Sequence, residues 1–252
     1  EISACLVGSE MCIRDSAASL QQPAFLKESS LLQAPVSHSE AAPTSVAPAW
    51  LASFAPVPTA HLSDNLQRMS GMVGLQRYHG RKKLLGTACT VKVRPGDNLF
   101  IYKALTELAA GQVLVIDGGA EVTQALVGEL IMLQAIRRQC AGFVIDGAIR
   151  DSAAFAAADF PCYARAVSHR GPYKLGPGAV GVPVAIGGQV VMPGDVIVGD
   201  EDGVVSFPQS AAPGLLDAVA RTAAKEEAIR AEIAGAGARP AWLDQVLSTH
   251  GL

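Results

Sequence analysis

Two adjacent charged residues, Arg150 and Asp151, are the first feature of the sequence that could carry chemistry. They follow an apolar segment, residues 143–145, that reads as a buried strand ending in Asp146-Gly147. In an open α/β sheet, ligands bind beyond the carboxyl ends of the parallel strands, which is where this pair would lie. A guanidinium can hold a carboxylate at two points, and a carboxylate can ligate a hard divalent cation. The alternative, an Asp that caps the next helix beside a surface Arg, is the more common meaning of such a pair alone.

A second candidate is Gly128-Glu129, which follows an earlier predicted strand, residues 113–116, that ends in Asp117-Gly118-Gly119. The apolar residues after that turn have helical spacing: Val122, Leu126, Leu130, Leu133 and Ile136. Gly128 interrupts this predicted helix, where Gly costs about 1 kcal/mol relative to Ala. A break at Gly128 would bring backbone N–H groups of a new helix N-terminus close to a small anion. The alternative is a tight contact between helix and sheet, with Glu129 in solvent.

A third candidate is Glu226, within Lys225-Glu226-Glu227 of a long helix predicted over residues 212–234. One face of this helix is formed by Leu215, Val219, Thr222, Ile229 and Ile233. Glu226 lies on the same face, because it is four residues after Thr222 and three before Ile229. A carboxylate on an apolar face is unfavourable unless it is paired or bound to metal. The alternative is an ordinary solvated face. A basic, aromatic loop, residues 169–174, could line an anionic pocket or be plain surface.

The elements that must position these residues alternate between strand and helix. Strands are predicted at residues 88–93, 113–116, 143–145 and 161–167, with helices at 99–108, 122–136 and 153–158 between them. This succession predicts a parallel sheet with helical crossovers. Four short strands follow, at residues 182–186, 189–192, 195–199 and 204–207, too close together for helical crossovers. The sequence therefore predicts an α/β fold with a partly parallel sheet, an antiparallel β layer and a long C-terminal helix.

The N-terminal quarter of the sequence differs from the rest in composition. Residues 1–16 contain Met11-Cys12-Ile13-Arg14-Asp15, which resembles a translated transposon end used in sequencing-library preparation, so we interpret them as an assembly scar. Residues 17–60 form a Pro-rich and largely irregular arm, with one short helix near residues 25–32. Three apolar residues could pin the end of this arm to the core or to a neighbouring subunit: Trp50, Leu51 and Phe54. A helix capped by Ser63-Asp64 is expected over residues 65–69, and residues 236–252 form a tail with a short helix at 242–247.

Composition limits the class of protein. The 252 residues carry a formal net charge of −3, and half of them are apolar. This charge gives no general attraction to nucleic acid or to an anionic membrane, and no apolar run reaches the roughly 18–20 residues of a membrane helix. Five cysteines, an odd number with no CxxC pair, favour a reducing compartment. We expect a cytoplasmic globular protein with no nucleic-acid or membrane partner.

Taken in order, these motifs resemble the RraA-like family, which contains the 4-hydroxy-4-methyl-2-oxoglutarate aldolases and the regulator of ribonuclease E activity A. The motifs that carry the resemblance are Gly118-Gly119, residues 125–129, residues 142–151, Asp159-Phe160-Pro161, Pro193-Gly194-Asp195, residues 200–204 and Lys225-Glu226-Glu227. It extends from about His61 to Ile233. It implies a swivelling β/β/α-type catalytic domain over residues 61–235, assembled as a homotrimer or a dimer of trimers with active sites between subunits.

The resemblance also implies an activity. The aldolases of this family need a divalent metal, Mg²⁺ or Mn²⁺, to cleave 4-hydroxy-2-oxo acids to pyruvate and a second 2-oxo acid, and they also decarboxylate oxaloacetate. Asp151 would bind the metal directly, and Glu129 and a neighbouring subunit's Glu226 would bind it through water. Arg150 would bind the keto oxygen of the small 2-oxo acid substrate and the developing enolate.

Further details of the site follow from the same resemblance. Backbone amides around Leu130 and Ile131, next to Gly128, would bind the substrate carboxylate. The family often has Asp where this chain has Glu129, which leaves the metal preference open. Glu227, one residue on, is the alternative to Glu226.

A non-catalytic regulator is the competing class, since the regulator branch acts by docking onto ribonuclease E without turnover. The presence of Arg150, Asp151 and Lys225-Glu226-Glu227 favours the enzyme. An older label of the family, a menaquinone methyltransferase, finds no support, because the sequence has no glycine-rich nucleotide loop.

Overall fold

A single mixed sheet forms the frame of the protein in the computed structural model, which describes residues 48–235 and 240–252. In chain order the strands are β1 (Gln76–Arg77), β2 (Leu84–Val93), β3 (Gln112–Val127), β4 (Gly142–Ile149), β5 (Cys162–Val167), β6 (Gly178–Val180), β7 (Val184–Ile186), β8 (Gln189–Val191), β9 (Val196–Gly199) and β10 (Val204–Phe207). The main sheet has the order β1-β5-β4-β3-β2-β9-β10, with β6 also paired to β2. Strands β2 to β5 are parallel, and the other pairs are antiparallel.

Helices pack against the sheet. They are α1 (Thr59–Asn65), α2 (Leu99–Glu107), α3 (Glu129–Arg137), α4 (Ser152–Ala158), α5 (Ala212–Gly235) and α6 (Ala241–Thr249), with 3-10 helices at Ala49–Phe54 and Gln209–Ala211. The crossover helices α2, α3 and α4 bury Ile101, Met132 and Phe155 in one cluster with Leu114 and Phe143 of the sheet. This cluster fixes the strand ends from which the candidate site is built.

Two further clusters complete the core. The separate hairpin of β7 and β8 packs Ile186 with Val113 and Val144 of the sheet. At the β9–β10 edge, Phe207 packs with Phe54 of the first 3-10 helix, at 5.2 Å between ring centroids, and with Leu215 of α5. Of the two alternatives for the end of the arm, contact with the core is the one observed: Leu51 and Phe54 are buried in this cluster, and Trp50 packs against it partly buried.

The predicted α/β fold class is confirmed, with a partly parallel sheet, a small antiparallel sheet and a long C-terminal helix. The antiparallel layer differs in detail. Of the four predicted short strands, β7 and β8 form the separate sheet, whereas β9 and β10 extend the main one. The turn between β9 and β10, in which the Asp200 N–H donates to the Gly203 carbonyl at 3.0 Å, makes this a hairpin at the sheet edge.

The largest error concerns residues 117–127. We predicted a helix that includes Val122 and Leu126, but β3 continues to Val127 and α3 begins only at Glu129. The strand continues because it stays paired with β4 through bulges, so that Glu121 lies opposite Gly147 and Ala125 opposite Ala148. The three remaining residues of the predicted face do lie on a helix, but they point outward: Leu130, Leu133 and Ile136 are 66%, 50% and 42% exposed.

The N-terminal helix is also displaced from its prediction. The helix is α1, so Ser63 and Asp64 lie inside it and the expected helix over residues 65–69 is wrong. Its start is capped from a distance, because Asp200 accepts hydrogen bonds from the Thr59 N–H at 2.7 Å and the Thr59 hydroxyl at 2.5 Å. The predictions for residues 1–16 and for a helix near 25–32 lie outside the described residues. Within the described ranges no helix is long and apolar enough to cross a membrane.

Candidate functional site

The carboxyl ends of three neighbouring parallel strands converge on the candidate site. Strand β3 ends before Gly128, β4 ends before Arg150, and β5 ends before Ser168. The two Asp-Gly pairs that we predicted as strand ends lie instead inside the strands, where Asp117 and Asp146 are opposite each other in register. The pair at Arg150-Asp151 nevertheless lies at an end of the sheet where ligands bind in α/β folds.

Asp151 joins the starts of two helices. It is the N-cap of α4, and its Oδ2 accepts a hydrogen bond from the Glu129 N–H at the start of α3, at 3.0 Å. The Arg150 Nε lies 3.6 Å from the same oxygen, and the two side chains are 42% and 44% exposed. The backbone of Asp151 is left-handed, with φ 56° and ψ 38°, a conformation that Asp tolerates better than most residues. Asp151 therefore occupies the N-cap position of α4 as the alternative predicted, but its side chain makes no cap hydrogen bond there and binds the start of α3 instead.

Gly128 is required for space. It is the N-cap of α3 with an extended backbone, so its importance does not come from backbone freedom. A Cβ at this position would lie 2.5 Å from Asp151 Oδ2 and 2.8 Å from Arg150 Cγ. The helix does begin immediately after Gly128, and the tight contact is with the Arg150-Asp151 pair.

The first turn of α3 offers a place for an anion. The Ile131 N–H, which the resemblance assigns to substrate binding, donates to the Gly128 carbonyl at 3.1 Å. The Leu130 N–H has no hydrogen-bond partner among the residues that the structure describes. A helix N-terminus carries a partial positive charge, which adds to the charge of the nearby Arg150. The Leu130 amide is therefore the group of this turn that is free to bind a carboxylate.

The loop after β5 closes the site on its third side. Its Ser168 N–H donates to the Ile149 carbonyl at 2.8 Å, and its Arg170 carbonyl accepts from the Ala125 N–H at 2.9 Å. A Cβ at Gly171 would lie 3.3 Å from Arg150 Nη1, so this loop passes beside the guanidinium. The sequence had left open whether residues 169–174 line a pocket or form plain surface, and this contact places them next to Arg150.

Asp97, which was not among the predicted site residues, anchors this loop. Asp97 is 1% exposed and accepts hydrogen bonds from the backbone N–H groups of Leu99, Leu175 and Gly176 at 2.9, 2.6 and 3.0 Å. Burial by itself raises the pKa of Asp97, but these hydrogen bonds, with Arg94 nearby, outweigh it and lower the pKa below its usual value. The turn motif Arg94-Pro95-Gly96-Asp97 was visible in the sequence, but two of the three partners of Asp97, Leu175 and Gly176, are 78 and 79 residues away.

Glu226 does not join the other candidate residues within the chain. Its helix α5 packs at the β9–β10 edge, and β9 is three strands from β4, about 14 Å along the sheet at the usual strand spacing. The predicted apolar stripe is buried at Leu215 and Val219 but is 41% and 64% exposed at Ile229 and Ile233. The premise of an unpaired carboxylate was wrong, because Glu226 lies 2.9 Å from His61 Nε2 and forms an ion pair with Arg230.

The oxygen donors of the site suit a hard cation. Asp151 Oδ1 accepts no hydrogen bond from the described residues, and the exposed Glu129 carboxylate forms no ion pair with them. Within the described ranges no cluster of three or more His, Cys, Asp or Glu side chains could hold a metal by itself. Mg²⁺ commonly binds through one or two carboxylates and keeps several waters, so this donor set fits Mg²⁺ or Mn²⁺ better than a closed zinc site.

Comparison with known proteins assigns the chain to a family. The family model RraA-like, described as Aldolase/RraA, matches residues 59–206, and the chain belongs to this family. A relative from Halalkalibacterium halodurans, which bears the name "Putative 4-hydroxy-4-methyl-2-oxoglutarate aldolase", is 36% identical over 180 residues, covering 71% of this chain and 86% of the relative.

Solved structures agree with the assignment. RraAS2 from Streptomyces coelicolor, described as an unusual member of the RNase ES inhibitor RraA protein family, is 28% identical with a TM-score of 0.66 and covers 72% of this chain and 95% of its own. An uncharacterized protein from Pseudomonas syringae pv. tomato has the same TM-score at 24% identity, covers 75% and 93% of the two chains, and shows the fold alone. The predicted resemblance to the RraA-like family is confirmed.

Replacing Gly128 by Ala is expected to lower any activity of this site about tenfold or more, because the new methyl group must displace the side chains of Arg150 and Asp151. The matched control is Gly214→Ala in helix α5, where a Cβ would meet nothing within 4 Å. We expect the control to keep full activity and a slightly higher melting temperature. Turnover and thermal melts of both variants test this, and a fully active Gly128→Ala protein would contradict the packing described here.

Proposed function

We propose that the protein is a divalent-metal-dependent aldolase that cleaves 4-hydroxy-4-methyl-2-oxoglutarate and similar 4-hydroxy-2-oxo acids to pyruvate and a second 2-oxo acid. The observation that carries the proposal is the Arg150-Asp151 pair, packed against Gly128 at the start of α3 and at the carboxyl ends of β3 and β4. The names of the aldolase relatives support the same activity.

Substrate binding uses the two positive features of the site. The carboxylate next to the 2-oxo group accepts a hydrogen bond from the Leu130 N–H at the N-terminus of α3. The 2-oxo oxygen faces the guanidinium of Arg150, beside which the loop passes at Gly171.

Cleavage places negative charge where Arg150 can stabilise it. The bond between C3 and C4 breaks, and its electron pair passes into the pyruvate enolate, while the C4 hydroxyl gives its proton to water and becomes the carbonyl of the second product. Water then returns a proton to C3 of the enolate, which gives pyruvate. Arg150 donates to the enolate oxygen, which carries more charge in the transition state than in the ground state. Decarboxylation of oxaloacetate gives the same enolate, so we propose it as a side activity.

The residues that would hold the cation are Asp151, directly, with Glu129 and a neighbouring subunit's Glu226 through water. When bound, Mg²⁺ or Mn²⁺ would supply Lewis-acid polarisation of the substrate oxygens. The Oδ2 of Asp151 is already fixed by the Glu129 N–H, so the other carboxylate oxygen is free to face a ligand.

We further propose that the site is shared between subunits of a homotrimer or a dimer of trimers. Leu130, Leu133 and Ile136 form an apolar face on α3 that is exposed in the single chain and lies next to Arg150 and Asp151. A neighbouring subunit covering this face would remove apolar surface from water and could bring its own α5 to the site.

A regulator that inhibits a ribonuclease of the E type is the second candidate function. The observation in its favour is the likeness to the Streptomyces coelicolor protein, which is described as a member of an RNase ES inhibitor family. A regulator of this kind needs a docking surface and no turnover, so substitutions at Arg150 would leave inhibition intact. The two functions are separated by assaying both on the same Arg150 variant.

The test is pyruvate release from a panel of 4-hydroxy-2-oxo acids and from oxaloacetate. We expect turnover with Mg²⁺ or Mn²⁺, loss of it after exhaustive chelation, and recovery when the metal is returned, because the enolate needs a Lewis acid. Undiminished turnover after chelation would contradict the metal requirement. An absence of pyruvate from every substrate, together with inhibition of ribonuclease E, would favour the regulator.

A further inference from the structure

Glu226 is held by a residue of another helix. The Nε2 of His61, on α1, lies 2.9 Å from Glu226 Oε2, and Arg230 Nη2 lies 2.8 Å from the same oxygen. Because a carboxylate only accepts hydrogen bonds, His61 must donate from Nε2. Both donors converge on Oε2, and within residues 48–235 and 240–252 no donor is bonded to Oε1. One oxygen of this carboxylate is therefore fixed, and the other is free to accept.

The imidazole is fixed as well. The His61 side chain is 12% exposed, and Asn65, one turn later on α1, donates to the His61 carbonyl at 2.8 Å and to the Thr222 hydroxyl at 2.9 Å. These bonds tie α1 to α5 one turn before Glu226. The His61 Nδ1 is buried and has no hydrogen-bond partner, which is unfavourable. An apolar ring would fill this space without that cost, so what the imidazole adds is its contact with Glu226.

Glu227 is in a different position. It is 75% exposed and pairs only with Arg230 of its own helix, at 3.1 Å, among the ion pairs of the described chain. Long side chains of this kind sample many rotamers at little cost, whereas Glu226 is bound from two sides. The geometry therefore separates the two neighbouring carboxylates that the sequence left as alternatives.

We infer that His61 is a positioning residue for the proposed shared site: it holds Glu226 so that Oε1 can accept a hydrogen bond from a water in the cation's hydration shell in the neighbouring subunit. The inference rests on the proposed function. Outer partners of this kind orient the groups around a metal, and their loss typically costs about 10–100-fold in metal affinity or activity.

The test is a double-mutant cycle with His61→Phe, Glu226→Gln and the combination of both. His61→Phe keeps the ring in the α1–α5 contact and removes the donor to Glu226. We expect each single variant to lower kcat and Mn²⁺ affinity about 10–100-fold, with KM for the oxo acid little changed. The double variant should be no worse than Glu226→Gln, because His61 acts only through that carboxylate.

Two further variants separate positioning from packing. His61→Gln keeps an N–H donor near the place of Nε2, so it should restore most of the loss. Asn65→Ala loosens the α1–α5 contact without touching Glu226, so it should lower the melting temperature and leave Mn²⁺ affinity unchanged. Losses that add fully in the double variant, or that Asn65→Ala reproduces, would overturn the inference, as would an unaffected His61→Phe.

Mn²⁺ binding, followed by electron paramagnetic resonance, keeps this test separate from the test of the reaction. If no oxo acid releases pyruvate, the proposed activity fails, and the Mn²⁺ titrations of the same four proteins still decide the role of His61. Equal, non-additive weakening by His61→Phe and Glu226→Gln supports it. Unchanged affinity in either single variant, or a wild-type protein that binds no Mn²⁺, contradicts it.

Discussion

Replacing Arg150 by Lys is expected to lower kcat/KM for pyruvate release about 10²–10³-fold, equivalent to about 3–4 kcal/mol of transition-state stabilisation. Lys keeps the positive charge but loses the planar arrangement of donors that can reach the substrate oxygen and remain beside Asp151. The Nε of Arg150 lies 3.6 Å from Asp151 Oδ2, and its Nη1 lies beside Gly171, so the guanidinium spans the space between Asp151 and this loop. A single ammonium group cannot replace both contacts.

The matched control is Arg137→Lys, an exposed residue at the end of α3 with no contact to the site. We expect it to retain full activity, and both variants to melt near the wild-type temperature, since neither side chain belongs to the core. Steady-state kinetics with saturating Mg²⁺ or Mn²⁺ measure the effect. Near-native kcat in Arg150→Lys would show that the enolate is not stabilised by this guanidinium.

Replacing Asp151 by Asn is expected to remove metal-dependent turnover, by about 10²-fold or more, while the fold is kept. Asn adopts the left-handed backbone of residue 151 readily, and its amide oxygen can still accept from the Glu129 N–H. What it loses is the negative charge that a divalent cation requires. Asp151→Ala would not separate the two roles, because it also removes the hydrogen bond to the start of α3, which costs about 1 kcal/mol of stability.

Thermal melts and metal titrations complete this prediction. The melting temperature of Asp151→Asn should stay close to that of the wild type, whereas its affinity for Mn²⁺ should fall steeply. Wild-type activity and metal dependence in Asp151→Asn would place the cation elsewhere and would remove the basis of the proposed reaction.

The parts of the site that are close in sequence could be predicted, because the chain itself brings them together. Arg150 and Asp151 follow a short buried strand, and Gly128 precedes a helix, so their place at one end of the sheet follows from local pattern. The length of β3 could not be predicted this way. Its second half has helical spacing at Val122 and Leu126, and it remains a strand only because β4 pairs with it through bulges.

The contacts between residues that are far apart in the chain could not be predicted from the sequence. Thr59 begins α1 because Asp200, 141 residues away, caps it, and no local motif shows this. Asp97 looked like the last residue of a turn, yet it also holds the loop that passes Arg150. Glu226 looked like an unpaired carboxylate on an apolar stripe, but a histidine 165 positions earlier pairs with it. Each of these contacts closes a long loop and is set by tertiary packing.

The most direct test of the proposed enzyme is to mix two impaired proteins, Asp151→Asn and Glu226→Gln, under conditions that exchange subunits, and to compare the mixture with each protein alone. In a randomly mixed ring, about a quarter of the interfaces combine an intact Asp151 with an intact Glu226 from the neighbour. We therefore expect pyruvate release to return to about a quarter of the wild-type rate, in proportion to the mixed oligomers detected by native mass spectrometry. Mixed oligomers that release no pyruvate would contradict a metal-dependent aldolase site shared between subunits.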